Sequence, residues 1–375
     1  MVDFEVIIVG AGLSGLTAAI HLSRKGKKVL LIEKKAYPRH KVCGEYLSNE
    51  VLPYFNSLEI DIEKDLQPVK INKLLYSTQN AKSIETPLNL GGMGLSRYAL
   101  DHYLFKRAEE NGAEILLDSV ENINFGNDQF KVNLSSGKEI SAKIVLGAFG
   151  KRANLDKSLK RDFIQEKSSW LAVKGHYKTP NFSDNLVALH NFDGGYCGLS
   201  KTETGVVNVC YLVSYKSFKK YKSTADFQEK VLFQNAYLKD FFKNAKPVFE
   251  RDLSIAQISF QEKSSINNHI LMLGDAAGLI HPLCGNGMAM AIHSGKIAAE
   301  AILGNFKKNH LDRINLENQY RENWNSNFNK RMKTGRILQR ILINPILAST
   351  SQNLVKNFPY LLEKIIKNTH GKPIA

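Results

Sequence analysis

Cysteine is scarce in this chain: only Cys43, Cys197, Cys210 and Cys284 occur in 375 residues. They are widely spaced and form no C-x-x-C pair, which argues against a disulfide framework or a zinc site. A reducing compartment and no bound metal are expected. No apolar run approaches the ~18 residues that a membrane-spanning helix needs. The opening MVDFEVIIVGAG carries Asp3 and Glu5 and lacks the basic region and cleavage site of a secretory signal. A cytoplasmic location is therefore expected. Internal repeats and low-complexity linkers are absent. Acids are the minority charge, 36 against 51 Lys and Arg, for a net +15. That balance suits acidic ligands, anionic membranes or nucleic acid. The positive charge is diffuse and no recognition motif accompanies it, so nucleic-acid binding is not expected.

What is present begins at the N-terminus. Phe4 to Val9 is an apolar, β-branched run suited to a buried parallel strand. Gly10-Ala-Gly12-Leu13-Ser14-Gly15 follows, then a helical pattern over Leu13 to Arg24 and a second strand over Lys28 to Ile32, ending at Glu33. This is a βαβ unit with a dinucleotide fingerprint. Gly10 permits the tight turn, Gly12 lets a pyrophosphate approach the backbone, and Gly15 lets helix and strand pack closely. Glu33 stands where an acid holds ribose hydroxyls; its charge would repel a 2′-phosphate.

The chain then becomes basic, through Lys34, Arg39 and Lys41 to Cys43-Gly44-Glu45. Arg39 and Lys41 either neutralise a pyrophosphate or form a solvated loop. Ser48 caps a helix to Leu58 that Pro53 perturbs. Short strands are expected over 71–76 and 83–86, with a turn at Gly91-Gly92-Met93-Gly94. Ser96 caps a helix from Arg97 to Asn111. Strands follow over 113–120, 130–134 and 139–146. From Asp162 strands over 169–177, 186–191, 196–200 and 206–213 alternate with glycine turns, the pattern of an antiparallel sheet. Thr224 to Phe242 reads as one helix.

Ile270 to Gly295 has its own logic. An apolar run ends in Gly274-Asp275, a small-residue loop carries His281, Pro282 and Cys284, and Gly285-Asn286-Gly287-Met288 opens a helix. A helix N-terminus presents unpaired amides and about half a positive charge, so an anionic or electron-rich group is expected there. The tail from Leu311 is helical and increasingly basic; from residue 330 onward Lys330, Arg331, Lys333, Arg336, Arg340, Lys356, Lys364, Lys367 and Lys372 stand against one acid, Glu363. It either packs on the first domain with a solvated outer face or lies on an anionic membrane.

These motifs together resemble the FAD-dependent oxidoreductases of the aromatic-ring hydroxylase and geranylgeranyl reductase superfamily, over roughly residues 1 to 305. The resemblance implies an α/β protein: a Rossmann-like, three-layer FAD-binding domain with a mainly parallel sheet (1–70, 92–161 and 262–310), an antiparallel-sheet substrate domain (71–91 and 162–261) and a helical basic C-terminal region (311–375). It implies FAD contacts from Gly10, Gly12, Leu13, Ser14, Gly15, Glu33, Lys34, Arg39, Lys41, Cys43, Gly44, Arg97, Val120, Gly274, Asp275, Pro282, Gly285, Asn286, Gly287 and Met288. Arg97 matches the Arg of the R-x-x-L-D-x-x-L helix, and Asp275 the acid on the ribityl chain. The Gly285–Met288 amides would face the flavin pyrimidine, whose reduced form is negative near N1 and O2.

Three departures bear on activity. Phe149-Gly150 stands where the superfamily usually has Asp-Gly, and no second G-x-G-x-x-G exists, so NADH or NADPH would bind only transiently. Lys41-Val-Cys43-Gly44-Glu45 is similar to the geranylgeranyl reductase branch. That branch's Trp, Phe and Pro motif after a Tyr is replaced by Tyr196-Cys-Gly-Leu-Ser200, and the tryptophan halogenase signature is missing. The first expectation is a monooxygenase that hydroxylates an apolar phenolic or polyketide-like substrate through a flavin C4a-hydroperoxide. The second is a reductase of prenyl-lipid double bonds, and the third a non-catalytic flavin- and lipid-binding protein. Cys43, Tyr196 and His281 are the candidate catalytic residues, each with a packing role as the alternative; His176 and His190 are read as structural.

Overall fold

The computed structural model describes residues 2–80, 82–165, 168–307, 310–343, 347, 350, 366–367 and 369–375. Of the tail, Lys356, Phe358, Leu361, Leu362, Glu363, Lys364 and Ile365 lie outside the described residues. In chain order the strands are β1 (Phe4–Val9), β2 (Val29–Glu33), β3 (Tyr46–Ser48), β4 (Val69–Ser77), β5 (Ser83–Gly94), β6 (Glu114–Leu117), β7 (Val120–Gly126), β8 (Gln129–Leu134), β9 (Glu139–Gly147), β10 (Trp170–Lys178), β11 (Leu186–Phe192), β12 (Gly195–Lys201), β13 (Val207–Ser214), β14 (Lys246–Pro247), β15 (Leu253–Ala256), β16 (Ile266–Asn267) and β17 (Ile270–Met272).

The first sheet runs β16-β17-β9-β1-β2-β6, with β7 and β8 attached through β9. Its centre, β17-β9-β1-β2-β6, is parallel. Val6 to Val9 and the whole of β2 are buried, as continuous apolar runs must be when both faces of a parallel sheet are covered. The Leu13–Arg24 helix packs on the Gly287–Asn305 helix. Their backbones meet at Gly295, where a methyl group would stand 2.6 Å from the Ser14 carbonyl oxygen. The expected α/β flavoenzyme fold is present.

The second sheet runs β14-β10-β13-β12-β11-β4-β5-β3, with β15 on β10. Its pairings are antiparallel except β4 with β11. Period-two alternation divides its faces. Leu171, Val173 and Tyr177 of β10 join Phe227, Leu232 and Leu238 in one core. Ala172 joins Tyr196, Leu212 and Ile258 on the other face.

Several expected elements differ. Gly91–Gly94 is not a turn but the end of β5, paired with β3 and β4. The glycines admit neighbours instead: the Tyr46 ring fills the side-chain space of Gly92, and the Lys201 carbonyl fills that of Gly94. This sheet therefore takes in 46–48, 69–70 and 92–94, which the sequence placed with the dinucleotide domain. The expected single helix over 224–242 is two, Thr224–Lys230 and Ala236–Asn244. Asn235 breaks it: its side-chain oxygen caps the second helix, and its amide donates to Ser77 Oγ, Thr78 O and Asn191 O. The strand Val120–Gly126 was not anticipated beyond Val120.

The Arg313–Ile343 helix packs on the first domain. Leu316, Tyr320, Trp324 and Phe328 recur every four residues and are all buried in the first core. The Tyr320 hydroxyl donates to the Met272 carbonyl at 2.5 Å.

Candidate active site

The glycine loop between β1 and the first helix shows three different constraints. Gly10 has φ +103°, and a Cβ there would stand 2.5 Å from the Ala148 carbonyl oxygen. At Gly15 the clash would be with the Gly10 carbonyl at 2.1 Å. Gly12 is open: its nearest neighbour would be the Ala148 oxygen at 3.9 Å. The helix that Gly12 caps has no acid in its first turn and no side-chain cap. Its amides are thus left for a ligand, and the residues fit a pyrophosphate. Glu33 ends β2 beside this loop. Its carboxylate accepts the Ala11 and Lys35 amides at 3.0 and 3.2 Å.

The basic segment after β2 is structured by ion pairs rather than solvated. Arg39 pairs with Glu33 at 2.9 Å, and Lys41 with the buried Asp101 at 2.6 Å. Burial pulls the Lys41 ammonium down to about 8, against the pull of Asp101. Arg97 grips the same Asp101 bidentately at 2.6 and 2.8 Å, which aims its guanidinium in a fixed direction. Ser96 caps this helix, accepting from the Ala99 amide at 3.1 Å.

The second sheet holds the Cys43 loop from behind. Lys174 donates to the Lys41 carbonyl at 3.1 Å, Asn208 to that of Cys43 at 3.2 Å, and Ser200 to that of Gly44 at 3.1 Å. Glu45 anchors the end of the loop in the left-handed region, at φ +52°. Its buried carboxylate meets Lys174 at 2.5 Å, His176 at 2.8 Å and the Arg97 amide at 2.8 Å. Burial alone would raise its pKa; the His176 hydrogen bond and the Lys174 charge outweigh that and hold it low. His40 also lies near Glu45 and His176, but the ammonium on Glu45 disfavours a cation there.

The opposite wall comes from the segment after β17. Gly274 takes φ +53°, and its amide donates to Ser294 Oγ at 2.9 Å. The Lys263 ammonium ties this turn to the segment after β9 through the Asp275 and Lys151 carbonyls at 2.9 and 2.7 Å. Gly287 then opens a 19-residue helix with no first-turn acid. Asn286 does not cap it. Its side chain donates instead to Glu50 and the Thr369 carbonyl at 3.3 and 3.2 Å. The first-turn amides of this helix are thus without a side-chain cap, as a site for an electron-rich group requires.

Between these walls lies an apolar cavity of about 280 Å³. Cys43, Gly44, Pro282, Cys284 and Gly285 line one end. Leu74, Ile84, Leu88, Val187, Leu189 and Leu199 carry it along the second sheet, and Leu338, Ile341, Ile366 and His370 of the tail close it. Tyr196 also lines it. His281 is buried against Tyr196 and Phe260, with burial pushing it down to about 3, so it is neutral and packed.

Of the remaining expected contacts, Leu13, Ser14 and Met288 are buried at helix starts, Lys34 is exposed, and Val120 begins β7. His190 holds Ser77 at 2.7 Å and stacks on Tyr237. Lys174, Ser200 and Asn208 were missed. The available signal was Lys174-Gly-His176: polar side chains on alternate positions of a strand that is otherwise apolar.

The FAD binding domain family model matches residues 3–312. A digeranylgeranylglycerophospholipid reductase of Methanosarcina acetivorans is 28% identical over 356 residues, covering 91% of this chain and 85% of that protein. A menaquinone reductase of Mycobacterium tuberculosis is 24% identical over 319 residues, covering 80% and 76%. Among solved structures, the flavin-dependent brominase Bmp2 superposes with a TM-score of 0.79 at 19% identity, covering 98% of this chain and 93% of that one.

Proposed function

Because this chain belongs to the FAD binding domain family and is an FAD-dependent oxidoreductase, we propose that it reduces carbon–carbon double bonds in an extended prenyl-type lipid. The observation that carries this reading is the cavity. Its walls from the Cys43 loop to the tail are predominantly apolar, with Leu74, Ile84, Leu88, Val187, Leu189 and Leu199 beside the rings of Tyr46, Tyr76, Tyr196 and Tyr211, and this length of apolar wall suits a prenyl chain. A phenol hydroxylase needs a polar group to orient and ionise the phenol. The two rings that the sequence offered for that task, Tyr196 and His281, are packed against other rings, and burial holds His281 neutral. Hydroxylation, ranked first from the sequence, therefore ranks second. The named activities of the lipid and quinone reductases among its relatives lend support.

Bound FAD would supply the hydride. The chain's own residues do the rest. Gly12 and the first-turn amides would hold the pyrophosphate, with Glu33 on the ribose and the Gly287 helix start on the pyrimidine edge. Lys174, Asn208 and Ser200 would hold the Cys43 loop against the cavity. Hydride delivery to one alkene carbon requires a proton at the other, and Cys43 Sγ, in the cavity wall, is the group assigned to deliver it. The predominantly apolar walls would exclude water.

Anaerobic turnover decides the matter. Dithionite-reduced protein mixed with a geranylgeranyl lipid should regain oxidised-flavin absorbance and release a product two hydrogens heavier per double bond. Oxidation that waits for oxygen, with a hydroxylated phenol as product, would establish the hydroxylase instead. NADH and NADPH, offered separately, test the donor. Cys43→Ala should keep its FAD and lose about 10²-fold in turnover, the usual contribution of a positioned acid; a change under threefold would remove Cys43 from the chemistry.

A further inference from the structure

The Arg313–Ile343 helix has two faces with opposite character near its end. Its inner face abuts the active site. At Gly335 a methyl group would stand 3.1 Å from Cys284 Sγ, and Leu338 and Ile341 line the cavity. Its outer face carries Lys330, Lys333, Ile337 and Arg340, at spacings of three, four and three, which is one stripe of an α-helix. All four are exposed, Ile337 by 57%. Arg331 and Arg336, off this stripe, pair with Glu50 and Glu262. No carboxylate pairs with Lys330, Lys333 or Arg340 among the described residues. A basic stripe with an exposed aliphatic residue in it is the pattern of a helix lying in a lipid headgroup layer. Leu347, just beyond the helix, is also 48% exposed.

We propose that this outer face docks on an anionic membrane surface. One helix then separates bilayer from cavity, so a lipid substrate need not cross bulk water. The charge complementarity favours anionic lipid over a second copy of this chain, whose matching face would present the same positive charge. The inference deepens the lipid-reductase reading, but vesicle binding needs no turnover, so either can fail alone.

The test is cosedimentation of the full FAD-loaded chain with vesicles of phosphatidylcholine alone or mixed with phosphatidylglycerol. Binding is expected to the mixed vesicles, to weaken at high salt, and to fall about tenfold or more in the Lys330→Glu/Lys333→Glu/Arg340→Glu variant. Ile337→Ser should weaken binding severalfold at unchanged salt dependence. FAD content and turnover on detergent-dispersed lipid, both unchanged, show that the variants are folded. Equal binding by wild type and the triple variant overturns the proposal, as does failure of the wild type to bind mixed vesicles. Dimerisation abolished by Ile337→Ser, without vesicle binding, would assign the face to a second copy and also overturns it.

Discussion

Gly12→Val protein will fold and purify colourless. The Gly12 backbone is already in a conformation that valine tolerates, with φ −77° and ψ 178°. Its Cβ would meet nothing closer than 3.9 Å within the protein. The side chain would instead fill the space left for the pyrophosphate, and the first-turn amides would lose their ligand. FAD retention should fall at least about 100-fold, roughly the loss of one or two charge-assisted hydrogen bonds plus the steric conflict. The ratio of flavin to protein absorbance after desalting measures it, with circular dichroism reporting the fold. Gly15→Val is the contrasting control: its Cβ would sit 2.1 Å from a backbone oxygen, so that variant should not accumulate as folded protein. Stoichiometric FAD in Gly12→Val would refute the placement of the cofactor.

Lys174→Met will cost about 3–5 kcal/mol of folding stability, the usual consequence of removing one partner of a buried ion pair, with His176 left on the other carboxylate oxygen. Glu45 and Lys174 are both fully buried, so no water can replace the lost ammonium. The sign with pH follows from linkage. In the wild type the Glu45 pKa is lowered on folding, so its contribution is complete above the unfolded value near 4.5 and is lost as pH falls through the folded value. In Lys174→Met the His176 interactions are left to oppose burial without the Lys174 charge, so the folded pKa rises above its wild-type position. The deficit should then shrink as pH falls, because a protonated Glu45 needs no cation. Adding Glu45→Gln should recover part of the loss at neutral pH. Urea denaturation at two pH values checks all three; a deficit that grows toward low pH would show that Lys174 does not neutralise Glu45.

The parts legible in the sequence are those whose signal is local. Gly10, Gly12, Gly15 and Glu33 sit within one βαβ unit, and each constraint operates over a few residues. The four strands from Trp170 to Ser214 were visible because their apolar runs are of strand length and glycine turns punctuate them. What the sequence did not yield is set by contacts distant along the chain. Gly91–Gly94 looked like a turn because its requirement for glycine comes from Tyr46 and Lys201. Asn235 splits a helix through partners on β4 and β11. Arg39 is committed to Glu33, and the Cys43 loop is held by Lys174, Ser200 and Asn208, more than 130 residues away. Apart from the alternation at Lys174-Gly-His176, none of these pairings has a periodicity or a motif to betray it.

The cavity wall has a division of labour with an evolutionary consequence. The cofactor frame falls within the matched residues 3–312, whereas Leu338, Ile341, Ile366 and His370 lie beyond them. On the proposed prenyl-lipid reading, changes in the tail would therefore reshape that end of the cavity while leaving the cofactor frame in place. A library confined to those four positions is the economical place to begin altering chain-length preference.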